Sequence, residues 1–326
     1  MRLMRLVAGV DIGGTNVRCA LADETGRILV SERERIRTGS EREIVRQISS
    51  MVMRVCRRRG VRVAELAGVG IASTGPLDMR RGSLMKPTNI PLPEVRLVGP
   101  VEEELGIPVV LLNDCTAAVL GEARFGAGKG VQDLVYVGIG TGIGGGAIVD
   151  GNLLFGKDGN ACEIGHVVVD PLGRMICGCG KRGHWEAYCS GKNIPAYTRL
   201  RLEEMGVKSG LAGMDAKGIC AEARRGDRLA RRIVAEVAEF NAIGLADVVN
   251  FYDPSLVTVG GSVALGDPDL LVEPAAKRMG RYLRNRRARV MLTPLGGDAG
   301  LLGAVAAALD PSVIPERFRR ASRLLR

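Results

Sequence analysis

The sequence predicts an α/β protein built from two related halves, and three observations carry that reading. An apolar run from Val109 to Leu112 stops at Asn113-Asp114 and gives way to an Ala- and Leu-rich helical stretch. Ligands of α/β proteins bind at such strand-to-helix junctions. Val7 to Asp23 reads as a strand, a glycine turn at Gly13-Gly14 and a second strand. The same pattern returns in Leu134 to Leu154, where Gly140-Thr-Gly-Ile-Gly-Gly145 supplies the turn, as a duplicated chain would repeat it.

At 326 residues and 46% hydrophobic, the chain can bury a substantial core, and its length suggests about two domains. The opening apolar run reaches Asp11 too soon for a secretory segment, and no later run is long enough to span a bilayer. The expectation is a cytoplasmic protein with no membrane partner. Eight cysteines spread from Cys19 to Cys220 without the spacing of a disulfide framework, so most are expected to be buried thiols; Cys177 and Cys179 are the exception. A net charge of +10 raises the question of nucleic acid, but the arginines are scattered among glutamates on predicted helices. Aromatic residues make up only 3% of the chain, too few for a base-stacking surface. The expectation is a solvated arginine-rich surface that also suits an anionic phosphate substrate, and no nucleic-acid partner.

In chain order, the first glycine turn lets the backbone approach a ligand and aim amides at phosphate oxygens, with Asp11 beside it to hold magnesium or its water. From these residues alone an ordinary hairpin fits as well. Glu24-Thr-Gly26 turns the chain into a third strand, Arg27 to Val30, and Glu41 to Arg59 is an amphipathic helix presenting Ile44, Ile48, Met51, Val52 and Val55. Val69 to Asp78 is a strand ending in a loop. The proline-rich Lys86 to Pro93 displays Asn89, a turn former or a ligand contact. At the central junction Asp114 is the candidate general base, although Asn113 or Asp114 also suits a helix cap.

In the second half, Gly140 to Gly145 formally matches the dinucleotide fingerprint, with Glu163 near the place of its ribose-binding acid. The match fails on context, because the glycines run into the hairpin Ala147 to Gly151 and not into a helix. A P-loop motif is absent. Two glycine hairpins can instead hold a triphosphate from both sides. The chain's only two histidines, His166 and His184, flank Cys177 and Cys179, and two thiolates with two imidazoles satisfy tetrahedral zinc; Cys189 is a substitute ligand. Such a closed shell makes the zinc structural. It would staple the glycine-rich loop. Arg228 to Asn250 is a long helix, Leu256 to Ser262 a strand running into a glycine turn that either admits an adenosine or is simply a turn, Gly300 to Leu309 a helix, and the basic tail a surface helix.

Together, Asp11-Ile-Gly-Gly-Thr15, Asn113-Asp114, Gly140-Thr-Gly-Ile-Gly144, Glu163-Ile-Gly-His166 and Cys177-Gly-Cys-Gly-Lys-Arg-Gly-His-Trp-Glu186 resemble the ROK family of sugar kinases, within the hexokinase, actin and Hsp70 superfamily. The resemblance implies a duplicated, ribonuclease H-like actin/hexokinase fold with a ligand cleft between domains. It places a small domain at residues 1–112, rejoined by a C-terminal helix at about 300–326, and a larger one at 113–299. It implies an ATP-dependent kinase acting on the 6-hydroxyl of glucose or another hexose, with Asp114 as base. Asn89, Asn113, Glu163, His166 and Glu186 would bind the sugar, the zinc-stapled loop holding His166 and Glu186 towards it and leaving ATP binding nearly untouched. Asp11, Gly13, Gly14, Thr15, Asn16, Thr141, Gly142, Gly260 and Gly261 would bind ATP and magnesium. The family's third motif cysteine is replaced here by His184, leaving His166, Cys177, Cys179 and His184 as the metal set. Kinases of the same family for N-acetylmannosamine, N-acetylglucosamine or fructose are the near alternatives. A repressor would need a helix-turn-helix ahead of Asp11, for which this sequence leaves no room. A homodimer is left open.

Overall fold

The opening strand, Leu-Val-Ala-Gly-Val-Asp-Ile, sends successive side chains to opposite faces, and its small Gly9 sets what can lie against one of them. In the computed structural model, which describes residues 5–87, 90–319 and 321–325, β1 (Leu6–Ile12) and β2 (Asn16–Asp23) form the expected hairpin. β3 (Ile28–Arg35) runs longer than the sequence suggested, and the amphipathic α1 (Glu41–Arg57) follows. Then come β4 (Leu66–Ser73), a small sheet of β5 (Leu77–Asp78), β6 (Ser83–Met85) and β7 (Glu94–Arg96), the short α2 (Val98–Leu105), β8 (Val109–Asn113) and α3 (Asp114–Phe125). The main sheet has the order β3-β2-β1-β4-β8, with β1, β4 and β8 parallel.

Along the second half run β9 (Leu134–Ile139), β10 (Ile143–Val149) and β11 (Asn152–Leu153), then α4 (Glu186–Cys189), α5 (Ile194–Glu204), α6 (Ala216–Arg225) and the 25-residue α7 (Arg228–Tyr252). β12 (Leu256–Gly260), α8 (Ser262–Gly266), α9 (Pro268–Leu271), α10 (Glu273–Arg278), β13 (Arg289–Leu292), α11 (Ala299–Leu309) and α12 (Glu316–Arg319) complete the chain. β9 pairs antiparallel with β10 and parallel with β12, which is parallel to β13. This repeats the hairpin-then-parallel arrangement of β2, β1, β4 and β8, so the duplication seen as two glycine turns extends to whole sheets.

The chain divides into two compact units. The first comprises the chain up to Gly130, Asp150–Ala161 and the chain from Asp298 on; the second comprises Val131–Val149 and Cys162–Gly297. In the first unit Ala8, Val10 and Ile12 point into a core with Ile44, Ile48, Met51 and Val52 of α1, while Val7 meets Val305, Ala308 and Leu309 of α11. Continuing on that second face, a Cβ at Gly9 would lie 2.7 Å from Val305 and 2.9 Å from the carbonyl of Leu301. The next residue on the face is Asp11, which therefore meets the N-terminal end of α11.

The boundary expected at residue 112 differs from this division, because α3 belongs with α11. A Cβ at Gly121 would stand 2.7 Å from the Ala299 carbonyl, and one at Gly303 would strike the carbonyl of Ala117. Only glycines let the two helices approach this closely. Asp150–Ala161 is tied back into the first unit by Asn160, whose Nδ2 donates to Leu77 O at 2.9 Å and whose Oδ1 accepts the Leu77 amide at 3.0 Å. The tail is not the surface helix expected. Beyond α11 its only α-helical stretch among the described residues is the four-residue α12, and the segment buries Phe318 and Ser322, the latter donating to the buried carboxylate of Glu102.

Candidate functional site

In the first unit, β8 delivers Asn113 and Asp114 to the start of α3. Capping falls to Asn113, whose Oδ1 accepts the amides of Cys115 at 2.9 Å and Thr116 at 3.3 Å. Asp114 is thereby left as the first helical residue, half-buried, with Oδ1 accepting the Cys115 amide at 2.8 Å. The positive end of the helix favours a carboxylate in that position. Gly300, in the first turn of α11, packs close to the backbone of one candidate acid and the side chain of the other: a Cβ there would sit 3.6 Å from the Asp114 backbone carbonyl and 3.8 Å from Asp11 Oδ1.

Asp11 has partners that sequence reading overlooked. Arg18 donates to Asp11 Oδ2 from Nε at 3.1 Å and from Nη2 at 2.7 Å, while its Nη1 donates to Asp298 at 2.7 Å. The signal was available, since a turn at Gly13–Asn16 sets Asp11 directly opposite Arg18 in the hairpin register. The turn closes through the Gly13 amide on Asn16 O at 2.9 Å and leaves Gly14 and Thr15 exposed, as a phosphate cradle requires. Asn89 lies outside the described residues.

The second unit gathers the other glycines. β9 and β12 run side by side with Gly138 opposite Gly260, and Gly261, at φ 89°, starts α8 against Ile139. A Cβ at Gly140 would lie 3.7 Å from Ser262, so the Gly140-Thr141-Gly142 turn and the Gly260-Gly261 turn share one edge. Thr141 is exposed there.

Beside this edge the loop from Cys162 to Cys189 folds around its polar residues. The ligand atoms of His166, Cys177, Cys179 and His184 all lie within 4.8 Å of one another. Cys177 Sγ is 3.7 Å from His166 Nδ1, and Cys179 Sγ is 3.3 Å from His184 Nδ1. Tetrahedral zinc with bonds of about 2.0–2.3 Å has ligand atoms roughly 3.3–3.8 Å apart, so the four need close only slightly around an ion. Burial and the neighbouring His166 push His184 below the ordinary imidazole range, towards the neutral form that ligates. Cys189 is not part of this group; its thiol is fully buried and donates to Val237 O.

His166 turns its other nitrogen outward, with Nε2 3.6 Å from Glu163 Oε2. Burial raises the Glu163 carboxyl above its usual range; His166 opposes the shift and Glu186 adds to it. Glu163, His166 and Glu186 thus form one polar group in the second unit, suited to accept and donate hydrogen bonds with vicinal hydroxyls. Behind them Trp185, fully buried, donates from Nε1 to Asn241 of α7 at 2.8 Å, which fixes the residue before Glu186.

The chain belongs to the ROK family, whose model matches residues 7–310. It is 36% identical over 325 residues to the glucokinase of Streptomyces coelicolor, covering 95% of this chain and 100% of that one. Among solved structures, it resembles the ROK hexokinase of Thermus thermophilus at 32% identity and a TM-score of 0.81, covering 94% of this chain and 99% of that one. A ROK glucokinase of Streptomyces griseus in complex with glucose and AMPPNP is 37% identical, with a TM-score of 0.75 and coverage of 92% and 97%. The fold is therefore the two-domain α/β fold of the ROK hexokinases. Among the described residues no helix is long and apolar enough to cross a membrane.

Proposed function

We propose that this protein is an ATP-dependent glucokinase transferring the γ-phosphoryl group to the 6-hydroxyl of glucose, with Asp114 as general base. The observation that carries the assignment is the placing of the Asp114 carboxylate at the positive end of α3, with the first turn of α11 close both to the Asp114 backbone and to Asp11, which lies beside the exposed first glycine turn. Phosphoryl transfer needs positioning and charge neutralisation more than covalent chemistry by the protein, and these residues supply both.

In this reading Glu163, His166 and Glu186 hold the sugar, and the turns at Gly13–Asn16, Gly140–Gly142 and Gly260–Gly261 hold the nucleotide. Asn113 contributes through its amide nitrogen, since its oxygen is committed to capping α3. Asp114 takes the proton as the sugar oxygen bonds to the γ-phosphorus and the bond to ADP breaks. Asp11, an oxygen donor of the kind a hard cation takes, would hold magnesium or its water, and the ion when bound neutralises phosphate charge. Arg18 fixes which oxygen of Asp11 is free to do so. His166, Cys177, Cys179 and His184 fit a structural zinc by donor type and spacing, and such a closed shell leaves no position for water.

A coupled ADP-release assay across glucose, fructose, N-acetylglucosamine and N-acetylmannosamine tests the assignment. Glucose should give the highest kcat/KM. A higher value for an N-acetylhexosamine would move the protein to the other kinase class of the family, and no sugar-dependent ADP release from folded protein would end the kinase reading.

A further inference from the structure

Glu186 reaches beyond the sugar group. Its Oε2 accepts the backbone amide of Ile143 at 2.9 Å, at the end of the Gly140–Gly142 turn. The approach is so close that a Cβ on Gly142 would stand 2.5 Å from that oxygen. Five residues further on, Gly191 N–H donates to Gly140 O at 2.8 Å, and a Cβ on Gly191 would come within 3.2 Å of the same carbonyl. The segment from Glu186 to Gly191 therefore grips the turn at both ends. The segment itself cannot drift, because Trp185 is locked to Asn241, whose Nδ2 in turn donates to Leu271 O at 3.1 Å. At its other oxygen, Oε1, Glu186 faces Cys177 Sγ at 3.5 Å.

We propose that Glu186 is a positioning residue for the nucleotide as well as a ligand of the sugar, tying the cysteine-histidine loop to the phosphate-binding turn. The inference rests on the reading above, in which that turn binds the triphosphate. A glycine-rich turn has wide backbone freedom, and its amides serve a phosphate chain only when they are held in one orientation. A carboxylate accepting the Ile143 amide holds one end in a charge-assisted bond, and its remaining lone pairs still serve a sugar hydroxyl. Because one side chain serves both ligands, each ligand's affinity depends on the other site, and the dependence is reciprocal. It also reverses the expectation that the loop bears on the sugar alone.

The experiment is calorimetric titration of the full-length protein with AMPPNP and magnesium in the absence of sugar. Glu186→Ala should weaken binding roughly tenfold, within the usual range for coupled sites. Glu186→Gln keeps an acceptor for Ile143 and should bind about as the wild type does. The reverse measurement uses Gly142→Ala, whose new methyl displaces the Glu186 carboxylate. It should weaken glucose binding with no nucleotide present, and it decides the matter alone if Glu186→Ala fails to fold. Wild-type binding of AMPPNP with unchanged affinity in Glu186→Ala, or unchanged glucose affinity in Gly142→Ala, overturns the coupling while leaving the kinase assignment intact. A wild type that binds no AMPPNP overturns both.

Discussion

Replacing Asp114 with Asn separates chemistry from architecture, because the two roles of this residue differ in size. Asn keeps the oxygen that accepts the Cys115 amide, and the cap of α3 is made by Asn113 in either case. What the fold loses is the charge in that bond and its interaction with the helix end. The first is worth about 1 kcal/mol and the second about 0.3–1 kcal/mol, so the melting temperature should fall by only a few degrees. What the reaction loses is its proton acceptor, worth about 10²–10⁴ in rate, or roughly 3–5 kcal/mol of barrier. Initial rates at saturating glucose and ATP, paired with scanning calorimetry, should therefore show kcat down at least a hundredfold in a protein of nearly normal stability. A variant retaining more than about a tenth of wild-type kcat would refute the assignment of the base.

Arg18→Ala frees Asp11 from its fork. It should raise the magnesium concentration needed for half-maximal rate by about 10- to 100-fold, read from magnesium titrations, while KM for glucose stays near the wild-type value. Elemental analysis of protein purified without chelator should find one zinc per chain; chelation or Cys177→Ala should raise KM for glucose, weaken AMPPNP binding and lower the melting temperature. Gly303→Ala forces α3 and α11 apart and should cost about 1–3 kcal/mol in urea denaturation. At Asp170, burial alone would raise the carboxyl, but hydrogen bonds from Tyr188 and Arg174 and from the Leu172 amide outweigh it and hold it below the aspartate range. Its stabilisation is present at neutral pH and is lost as pH falls through that lowered value. Asp170→Asn should therefore flatten the acid limb of a stability-against-pH curve.

Local signals read well from sequence because their causes are local. Asn113-Asp114 announced a strand-to-helix junction through an abrupt change of pattern, and the two glycine hairpins announced a duplicated sheet. The ambiguity between cap and base at that junction was structural, since neighbouring residues divide the tasks and only coordinates assign each oxygen. The long-range partners were not legible. Asp298 lies 280 positions from Arg18, and nothing near Gly121 announces that its partner is α11. The tail was misread for a related reason: its arginines suggested a solvated helix, yet Phe318 and Ser322 find buried places that only the folded first unit provides. The link between Glu186 and the glycine turn was hidden because a hydrogen bond to a backbone amide leaves no residue-type signature at the amide's position.

The first unit is assembled from three separate stretches of chain, and α11, in the last of them, covers one face of β1 and wedges against α3. A ribosome makes the hairpin of β1 and β2 first and α11 nearly last, so that face stays open for most of the protein's synthesis. The second unit, by contrast, has all of its residues once Gly297 has emerged. Although translation usually completes N-terminal domains first, the order here is inverted: the half that starts earliest must finish latest. Released chains truncated after Gly297 should resist protease in the second unit and be cut in the first. The exposed strand face in the meantime is where a chaperone would be needed.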